Sequence, residues 1–303
     1  MSLAGAAPGA EPRAVSVGVL CYLLWGATPI LFIVLGRAGA SAPEIVGERA
    51  MWSAPWAVGL VLFAGQGRAL LDLLRRPRTL ALLALSASSI FTGWAVFVWA
   101  VNHGHNLEAS LGYYINPLMN MAAGAVLFRE RIGRLGVAAI VLAVVGVALQ
   151  TLALGRPPLI ALVLAVTFWI YGLVRRQVSA DALPGLAVEC LLMVVPGLIF
   201  VVWLHQSGGG IFGRDLTTSL LMSLVGPATV LPLALFSWTA RRLPFSTIGF
   251  LQFISPTIGF GIGLALGEPL TRLRAISFVF IWAGAIVFAL GAWRAARRLQ
   301  RAE

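Results

Sequence analysis

Long apolar stretches alternate with short polar connections along the whole chain. Counting stretches of about 17–25 predominantly apolar residues, the length that crosses a bilayer, predicts ten helices. They lie near residues 15–35, 43–63, 79–100, 107–128, 132–154, 158–174, 184–204, 217–238, 246–267 and 272–293. The longest connection is the polar, glycine-rich segment at 205–215, so no soluble domain folds between the helices. The pattern predicts an all-α integral membrane protein with ten transmembrane helices.

Composition and charge agree with a membrane protein and give it an orientation. The chain is 59% hydrophobic and 11% charged, with a mean hydropathy of +0.92, which excludes a soluble domain of 303 residues. All 22 basic residues are arginine. Sixteen of them fall on one side of the predicted helices and five on the other, which predicts that both termini are cytoplasmic. The net charge of +11 is therefore explained by the arginines that orient the helices in the membrane, and no nucleic-acid partner is expected.

Matched spacings indicate an internal repeat. Pro43, Glu48 and Pro55 recur as Pro184, Glu189 and Pro196 at an offset of 141 residues. A second motif, Glu130-x3-Arg134-Leu135 followed by Gly146, recurs as Glu268-x3-Arg272-Leu273 followed by Gly284 at an offset of 138 residues. Because each copy holds five helices, an odd number, the second copy is inverted in the membrane. The predicted organisation is a disordered tail at 1–14, five-helix repeats at 15–154 and 155–293, and a basic tail at 294–303.

The fourth predicted helix carries polar side chains in its middle. At 100° per residue, Tyr113 and Asn116 share one face with Asn120, whereas leucine and isoleucine fill the opposite face. Pro117 leaves the carbonyl group of Tyr113 without its helical donor. The polar face either lines a substrate pathway or forms a seam between helices, and this stretch alone favours neither.

Charged residues inside the predicted helices are the next candidates. Glu48 and Arg49 lie about one and a half turns into the second helix, where ionisable groups are costly and usually functional. Arg49 is expected to bind an anionic group or a partner on another helix, and the alternative is a charge that snorkels to the membrane surface. Glu189 is the repeat-related counterpart of Glu48. The two carboxyl groups are candidates for proton coupling, with a structural tie to a loop arginine as the alternative for Glu189.

Prolines at matched places complete the predicted site. Pro117 and Pro256 free the carbonyl groups of Tyr113 and Gln252 in the two repeats, which gives acceptors with aromatic walls suited to a mid-sized polar or amphipathic molecule. Ordinary kinked packing is the alternative. The candidate substrate-binding residues are Trp25, Arg49, Trp94, Asn102, Tyr113, Asn116, Tyr171 and Gln252.

Signals of catalysis are missing from the chain. It contains no Gly-x-Ser-x-Gly elbow and no phosphate-binding Gly-Lys-Ser/Thr loop, and neither a cofactor nor a metal is expected. The interpretation is a non-enzymatic secondary transporter that exports or exchanges a small organic metabolite or drug by alternating access. A lipid-handling protein or a membrane enzyme using the same cavity is the alternative. Proton coupling against simple facilitation, and a homodimer against a monomer, stay open.

Four motifs also carry a resemblance to a known family. LEASLGYYINPL at 107–118, WAVN at 99–102, YGLVR at 171–175 and STIGFLQFISPT at 246–257 resemble the RarD branch of the EamA transporters, in the drug/metabolite transporter superfamily. The resemblance implies a ten-helix, two-repeat carrier of the bacterial plasma membrane, in a branch labelled chloramphenicol-sensitive. One position departs from the family pattern: Glu48-Arg49 stands where a His-Arg pair is expected, so a role of that histidine in proton handling does not transfer to this chain.

Overall fold

The computed structural model describes residues 12–102, 106–127, 129, 132–154, 157–265 and 271–300. Every regular secondary-structure element among these residues is a helix. The helices are α1 (Pro12–Arg37), α2 (Ala42–Phe63), α3 (Gly67–Leu74), α4 (Pro77–Asn102), α5 (Asn106–Val126), α6 (Arg134–Leu154), α7 (Leu159–Gln177), α8 (Ala182–Gln206), α9 (Leu216–Ser223), α10 (Val225–Ala240), α11 (Phe245–Leu251), α12 (Ile254–Ala265) and α13 (Arg272–Gln300).

Each predicted apolar segment overlaps one helix or two consecutive helices. The segment at 217–238 is divided at Leu224, and the segment at 246–267 is divided at Gln252 and Phe253. Each division lies three residues before a proline, whose ring and missing N–H group disfavour a continuous helix. The chain ends differ slightly from the prediction. α1 begins at Pro12, within the predicted tail, and α13 continues to Gln300, through most of the predicted basic tail.

The short helix α3 was outside the prediction, and the short helix α9 was predicted only as part of a longer segment. α3 has eight residues, too few for a transmembrane segment, and it buries Leu70 and Leu73 while Leu71 and Leu74 are exposed. α9 begins at the cap residue Asp215, whose carboxylate accepts a hydrogen bond from the backbone N–H of Thr218 at 2.8 Å. This backbone hydrogen bond lowers the pKa of Asp215, an exposed group before the helix.

The surface of the helical bundle is apolar and its interior is rich in small residues. By length and composition, five helical stretches can cross a membrane: Pro12–Arg37, Pro77–Phe97, Leu159–Gln177, Ala182–Gln206 and Leu216–Ala240. Large apolar side chains are exposed on the outside, among them Leu20, Leu82, Val144, Ile199 and Ile286. Fully buried alanines lie between the helices, including Ala87, Ala139, Ala143, Ala161 and Ala165. This distribution is that of a bundle with lipid as its solvent. The count of ten crossings and the orientation of the termini stay predictions.

The packing between helices is symmetric when the two halves of the chain are exchanged. The long helices of the first half are α1, α2, α4, α5 and α6. Their counterparts in the second half are, in the same order, α7, α8, α9–α10, α11–α12 and α13. The contacts of α6 with α13, α2 with α8 and α5 with α11 each pair a helix with its own counterpart. The contacts of α1 with α10 and α12 correspond to those of α7 with α4 and α5.

Two glycines from the second repeated motif hold α6 and α13 close together. A Cβ atom on Gly146 would lie 2.9 Å from the carbonyl oxygen of Ser277, and one on Gly284 would lie 2.8 Å from that of Ala139. Each glycine thus admits the backbone of the opposite helix, which explains why the spacing recurs. Glu130 and Glu268, the first residues of this motif, lie outside the described residues.

Candidate functional site

Arg49 lies on α2 in an aromatic environment. The helix begins at a cap in which the Ser41 hydroxyl accepts a hydrogen bond from the backbone N–H of Glu44 at 3.3 Å. Two turns later the Arg49 side chain is buried, with 6% of its surface exposed. Its Cζ atom lies 3.6 Å from the centroid of the Trp94 ring and 5.6 Å from that of Phe32. The guanidinium group is thus held by cation–π contacts within the bundle rather than by water.

Two more aromatic residues extend the surroundings of Arg49. The rings of Phe97 and Tyr113 meet edge to face with centroids 5.3 Å apart. Tyr113 interacts electrostatically with Arg49 and leaves 37% of its surface exposed. The structure therefore brings three predicted site residues together: Arg49, Trp94 and Tyr113. We call these residues, with Phe32 and Phe97, the arginine site.

A narrow cavity lies next to the arginine site, where the two halves of the chain meet. Trp94 on α4 and Ser53 on α2 line it from the first half, and Tyr171, Glu189 and Leu233 line it from the second. In this conformation it has room for little more than a water molecule, so a substrate enters only if the helices separate.

Glu189 belongs to a buried polar network on the second-half side of the cavity. Its Oε1 atom accepts a hydrogen bond from the Ser86 hydroxyl at 2.6 Å and lies 3.8 Å from Nη1 of Arg175. The Arg175 guanidinium also donates to the Ser237 hydroxyl at 3.1 Å and to the Ala182 carbonyl oxygen at 2.8 Å. This arginine is therefore neutralised and hydrogen-bonded, as a buried charge must be to be stable.

Glu48, the repeat-related counterpart of Glu189, has a different environment. Its side chain is fully buried, and neither carboxyl oxygen has a hydrogen-bond partner among the described residues. The indole N–H of Trp52 lies nearby without making a hydrogen bond. Glu44 and His205 are the titratable groups that act on it electrostatically. The two predicted proton-coupling candidates thus occupy matched positions with unlike partners.

Glu44 fastens a loop to the start of α2. The backbone N–H groups of Ile211 and Phe212 both donate to its Oε1 atom, at 2.5 Å and 3.0 Å. Ser41 and Glu44 therefore form a capping box in one direction only, because the Glu44 carboxylate accepts hydrogen bonds from these amides. Its role is structural.

Asn116 and Gln252 lie in a chain of amide groups between helices. Asn120 donates to Gln252 at 2.6 Å and to Asn116 at 3.2 Å, and Asn116 in turn donates to the Ala165 carbonyl oxygen at 3.0 Å. All three side chains are buried. This chain joins α5 to α7 and to the segment after α11, which is the arrangement expected of a polar seam.

Trp25 and Tyr171 share an aromatic cluster beside the cavity. Trp25 contacts Phe168 and Phe236, with ring centroids 5.5 Å and 5.7 Å apart, and Tyr171 stacks on Phe236 at 5.6 Å. The Tyr171 hydroxyl lies 3.5 Å from that of Ser237, which connects the cluster to the Arg175 network. Asn102 ends α4, and its side chain lies outside the described residues.

Sequence reasoning missed several members of the site. Arg175 sits at the end of α7, where its sequence position indicates a loop charge, and Ser86 is one of three serines in α4. No local signal marks either residue as a partner of Glu189, because the three side chains come from three helices. The only usable signal was the depth of Glu189 in an apolar segment, which implies a compensating group.

Comparison with known proteins identifies the family. The model of the EamA-like transporter family matches residues 12–152. An uncharacterized transporter of Pseudomonas aeruginosa is 41% identical, with 95% of this chain and 96% of that protein covered. Protein RarD of Streptomyces exfoliatus is 38% identical, with 93% of this chain and 89% of that protein covered. A solved crystal structure shares the fold, with a TM-score of 0.71 at 18% identity over 94% of this chain and 99% of its own.

These relatives cover nearly the whole chain, which carries the motifs quoted above in its helices. The apolar surface of the bundle and the cavity between its halves are consistent with a bacterial multi-pass membrane protein whose homologues are named as transporters. The chain belongs to the RarD branch of the EamA family, in the drug/metabolite transporter superfamily.

Proposed function

We propose that the protein is a secondary carrier of the bacterial plasma membrane that exports or exchanges a small organic metabolite or drug by alternating access. In this proposal ten helices cross the membrane as two inverted five-helix repeats, with both termini in the cytoplasm. The cavity opens alternately to the two sides as one half moves against the other.

The observation that carries this proposal is the symmetric packing of the two halves around a cavity that both of them line. The contacts of α2 with α8, α5 with α11 and α6 with α13 each pair a helix with its counterpart, as expected of inverted repeats. The cavity is lined from both halves, by Trp94 and Ser53 on one side and by Tyr171 and Glu189 on the other. A relative movement of the halves would therefore change access to it directly.

Within the same proposal, Glu48 couples transport to protons. Burying an ionised carboxylate without a donor is costly, which favours the uncharged acid in the closed conformation. Glu44, His205 and Trp52 are the groups that face it, and none makes a hydrogen bond to it among the residues described. When the surrounding helices separate, water reaches the carboxyl group and the proton can leave. Glu189 is a poorer candidate because Arg175 and Ser86 already stabilise its charged form.

Transport by the reconstituted protein tests the proposal. Purified protein is screened against amino acids, amphenicols and other polar metabolites for a rise in its unfolding midpoint, since a ligand that binds the folded state stabilises it. Compounds that bind are then loaded into proteoliposomes, and radiolabelled exchange is measured with and without a pH gradient. We expect exchange of at least one compound and stronger accumulation with the gradient. Stabilisation by native lipids alone, without exchange of any compound, would instead favour the lipid-handling function.

A pair of variants tests the coupling residue. In Glu48→Gln we expect exchange to persist while the response to the pH gradient is lost. Glu44→Gln is the matched control, because its amide oxygen can still accept hydrogen bonds from Ile211 and Phe212. A gradient response that survives in Glu48→Gln would exclude Glu48 as the coupling group.

A further inference from the structure

Arg49 is a buried cation that has no anionic partner among the described residues. It makes no hydrogen bond or ion pair with any described residue, and its Nε atom is enclosed without an acceptor. Glu48 is its neighbour in sequence, but adjacent side chains on a helix point about 100° apart and do not face each other. Arg175, the other deeply buried arginine, has a carboxylate, a hydroxyl and a carbonyl oxygen around it. The absence of any such group at Arg49 therefore needs an explanation.

The geometry around Arg49 leaves it ready to bind a planar anion. Trp94 covers the guanidinium group at 3.6 Å, and this contact holds the group without using its N–H donors. A guanidinium group held in this way presents two parallel N–H groups, which match the two oxygens of a carboxylate. An uncompensated buried charge is costly, so an anion that neutralises Arg49 would gain affinity from relieving that cost.

The other residues of the arginine site indicate the chemistry of the part of the ligand that does not contact Arg49. Phe32, Trp94, Phe97 and Tyr113 supply aromatic surface, and no carboxylate of the described residues forms an ion pair at the site. Tyr113 keeps 37% of its surface exposed, so part of this wall is accessible. Aromatic walls around one charged group are typical of sites for organic molecules that have an apolar body and a single ionic end.

We propose that Arg49 binds the carboxylate of an organic anion whose aromatic or apolar body packs against Trp94, Phe97 and Tyr113. This inference rests on the proposed carrier function, because it names the substrate class of the same site. It makes the substrate an organic acid rather than a cation or a neutral drug. It also assigns the two charged residues of α2 separate tasks, Arg49 for the anion and Glu48 for the proton.

The test compares acids with their neutral amides. Purified full-length protein is titrated with benzoate, phenylacetate and indole-3-acetate, and with the three corresponding amides, while the unfolding midpoint and the dissociation constant are measured. We expect at least one acid to bind at least tenfold more tightly than its amide. In Arg49→Gln this preference should be lost. Arg37→Gln, which removes an exposed arginine at the end of α1, should bind like the wild type.

Two results would overturn the inference. One is that no acid of the series binds the wild type more tightly than its amide, or that the preference survives in Arg49→Gln. The other concerns the protein without ligand: the unfolding midpoint of Arg49→Gln should equal or exceed that of the wild type, since the variant loses an unpaired charge. A clear fall in this midpoint would show that Arg49 is structural.

Exchange assays separate this inference from the proposed function. If proteoliposomes exchange a neutral compound but no acid, the carrier function holds and the anion site is wrong. If an acid binds through Arg49 but is not exchanged by the wild type, the anion site holds and the carrier function is wrong.

Discussion

Both halves of the chain bury a glutamate at the same step of their second long helix, and the two carboxyl groups have opposite surroundings. Glu189 has a hydroxyl donor and an arginine, whereas Glu48 has neither among the residues that the structure describes. The nearest arginine in the first half, Arg49, lies instead on an aromatic ring. The acid thus lies at the same position in the second long helix of both halves, but its partners differ. The pairing of Glu189 with Arg175 is typical of a structural interaction. The unpaired Glu48 and Arg49 are better suited to bind a proton and a ligand, respectively.

The largest effect should come from breaking the paired site. Arg175→Met leaves Glu189 as a buried carboxylate without its counter-ion, which should cost about 3 kcal/mol or more of unfolding free energy. Arg49→Met removes an unpaired cation and should cost far less. The unfolding midpoints of the two variants in detergent measure the difference. The double variant Arg175→Met/Glu189→Leu should recover much of the loss, and equal effects of the two arginine variants would remove the contrast between the halves.

The same contrast should appear in the two acids. Glu189→Gln takes the counter-ion from Arg175 and should lower stability by about 2 kcal/mol. Glu48→Gln replaces an acid without hydrogen bonds by a group of similar shape, and we expect a much smaller change. Thermal unfolding of both variants is the measurement. A larger loss in Glu48→Gln would show that its carboxyl group has a structural partner.

A glycine in the second half makes room for the paired arginine. A Cβ atom at Gly185 would overlap Nη1 of Arg175, so Gly185→Ala should displace the guanidinium group from Ser237 and Glu189. We expect a loss of about 1–2 kcal/mol. Gly59→Ala is the matched control, because the added methyl group meets no atom within 4 Å and alanine favours the helix. An unchanged unfolding midpoint in Gly185→Ala would argue against the Arg175 network.

The smallest effect should distinguish two buried serines. Ser86 donates to the Glu189 carboxylate at 2.6 Å, whereas Ser53 donates to the Arg49 carbonyl oxygen of its own helix at 2.6 Å. Ser86→Ala should cost about 1.5 kcal/mol, since hydrogen bonds to charged groups are the stronger kind. Ser53→Ala should be close to neutral because a serine that bonds to its own helix adds little. The unfolding midpoints of the two variants measure these losses. Similar losses in both variants would contradict this ranking.

Much of the fold could be predicted from the sequence. Apolar length alone located every long helix to within a few residues, because a segment in lipid must be helical and must match the bilayer thickness. The breaks before Pro227 and Pro256 could not be located from proline alone, because Pro117 and Pro196 lie inside continuous helices. The short helix α3 could not be predicted from apolar length, because eight residues carry too little signal.

The site could be predicted only in part. Depth in an apolar segment was enough to single out Glu48, Arg49 and Glu189, since the cost of burying a charge depends on the residue and its place in the segment. Whether these residues bind substrate or protons stays a prediction.

What the sequence by itself determined is therefore the set of helices, the membrane environment and the presence of unusual charges inside it. Only the tertiary structure decided which side chains contact those charged groups. The acid of the second half meets Arg175 because the last turn of α7 lies beside the first turns of α8, and Arg49 meets Trp94 because α4 packs against α2. Such pairings depend on how helices pack, and residues that are tens of positions apart in the chain carry no local signal of their contact.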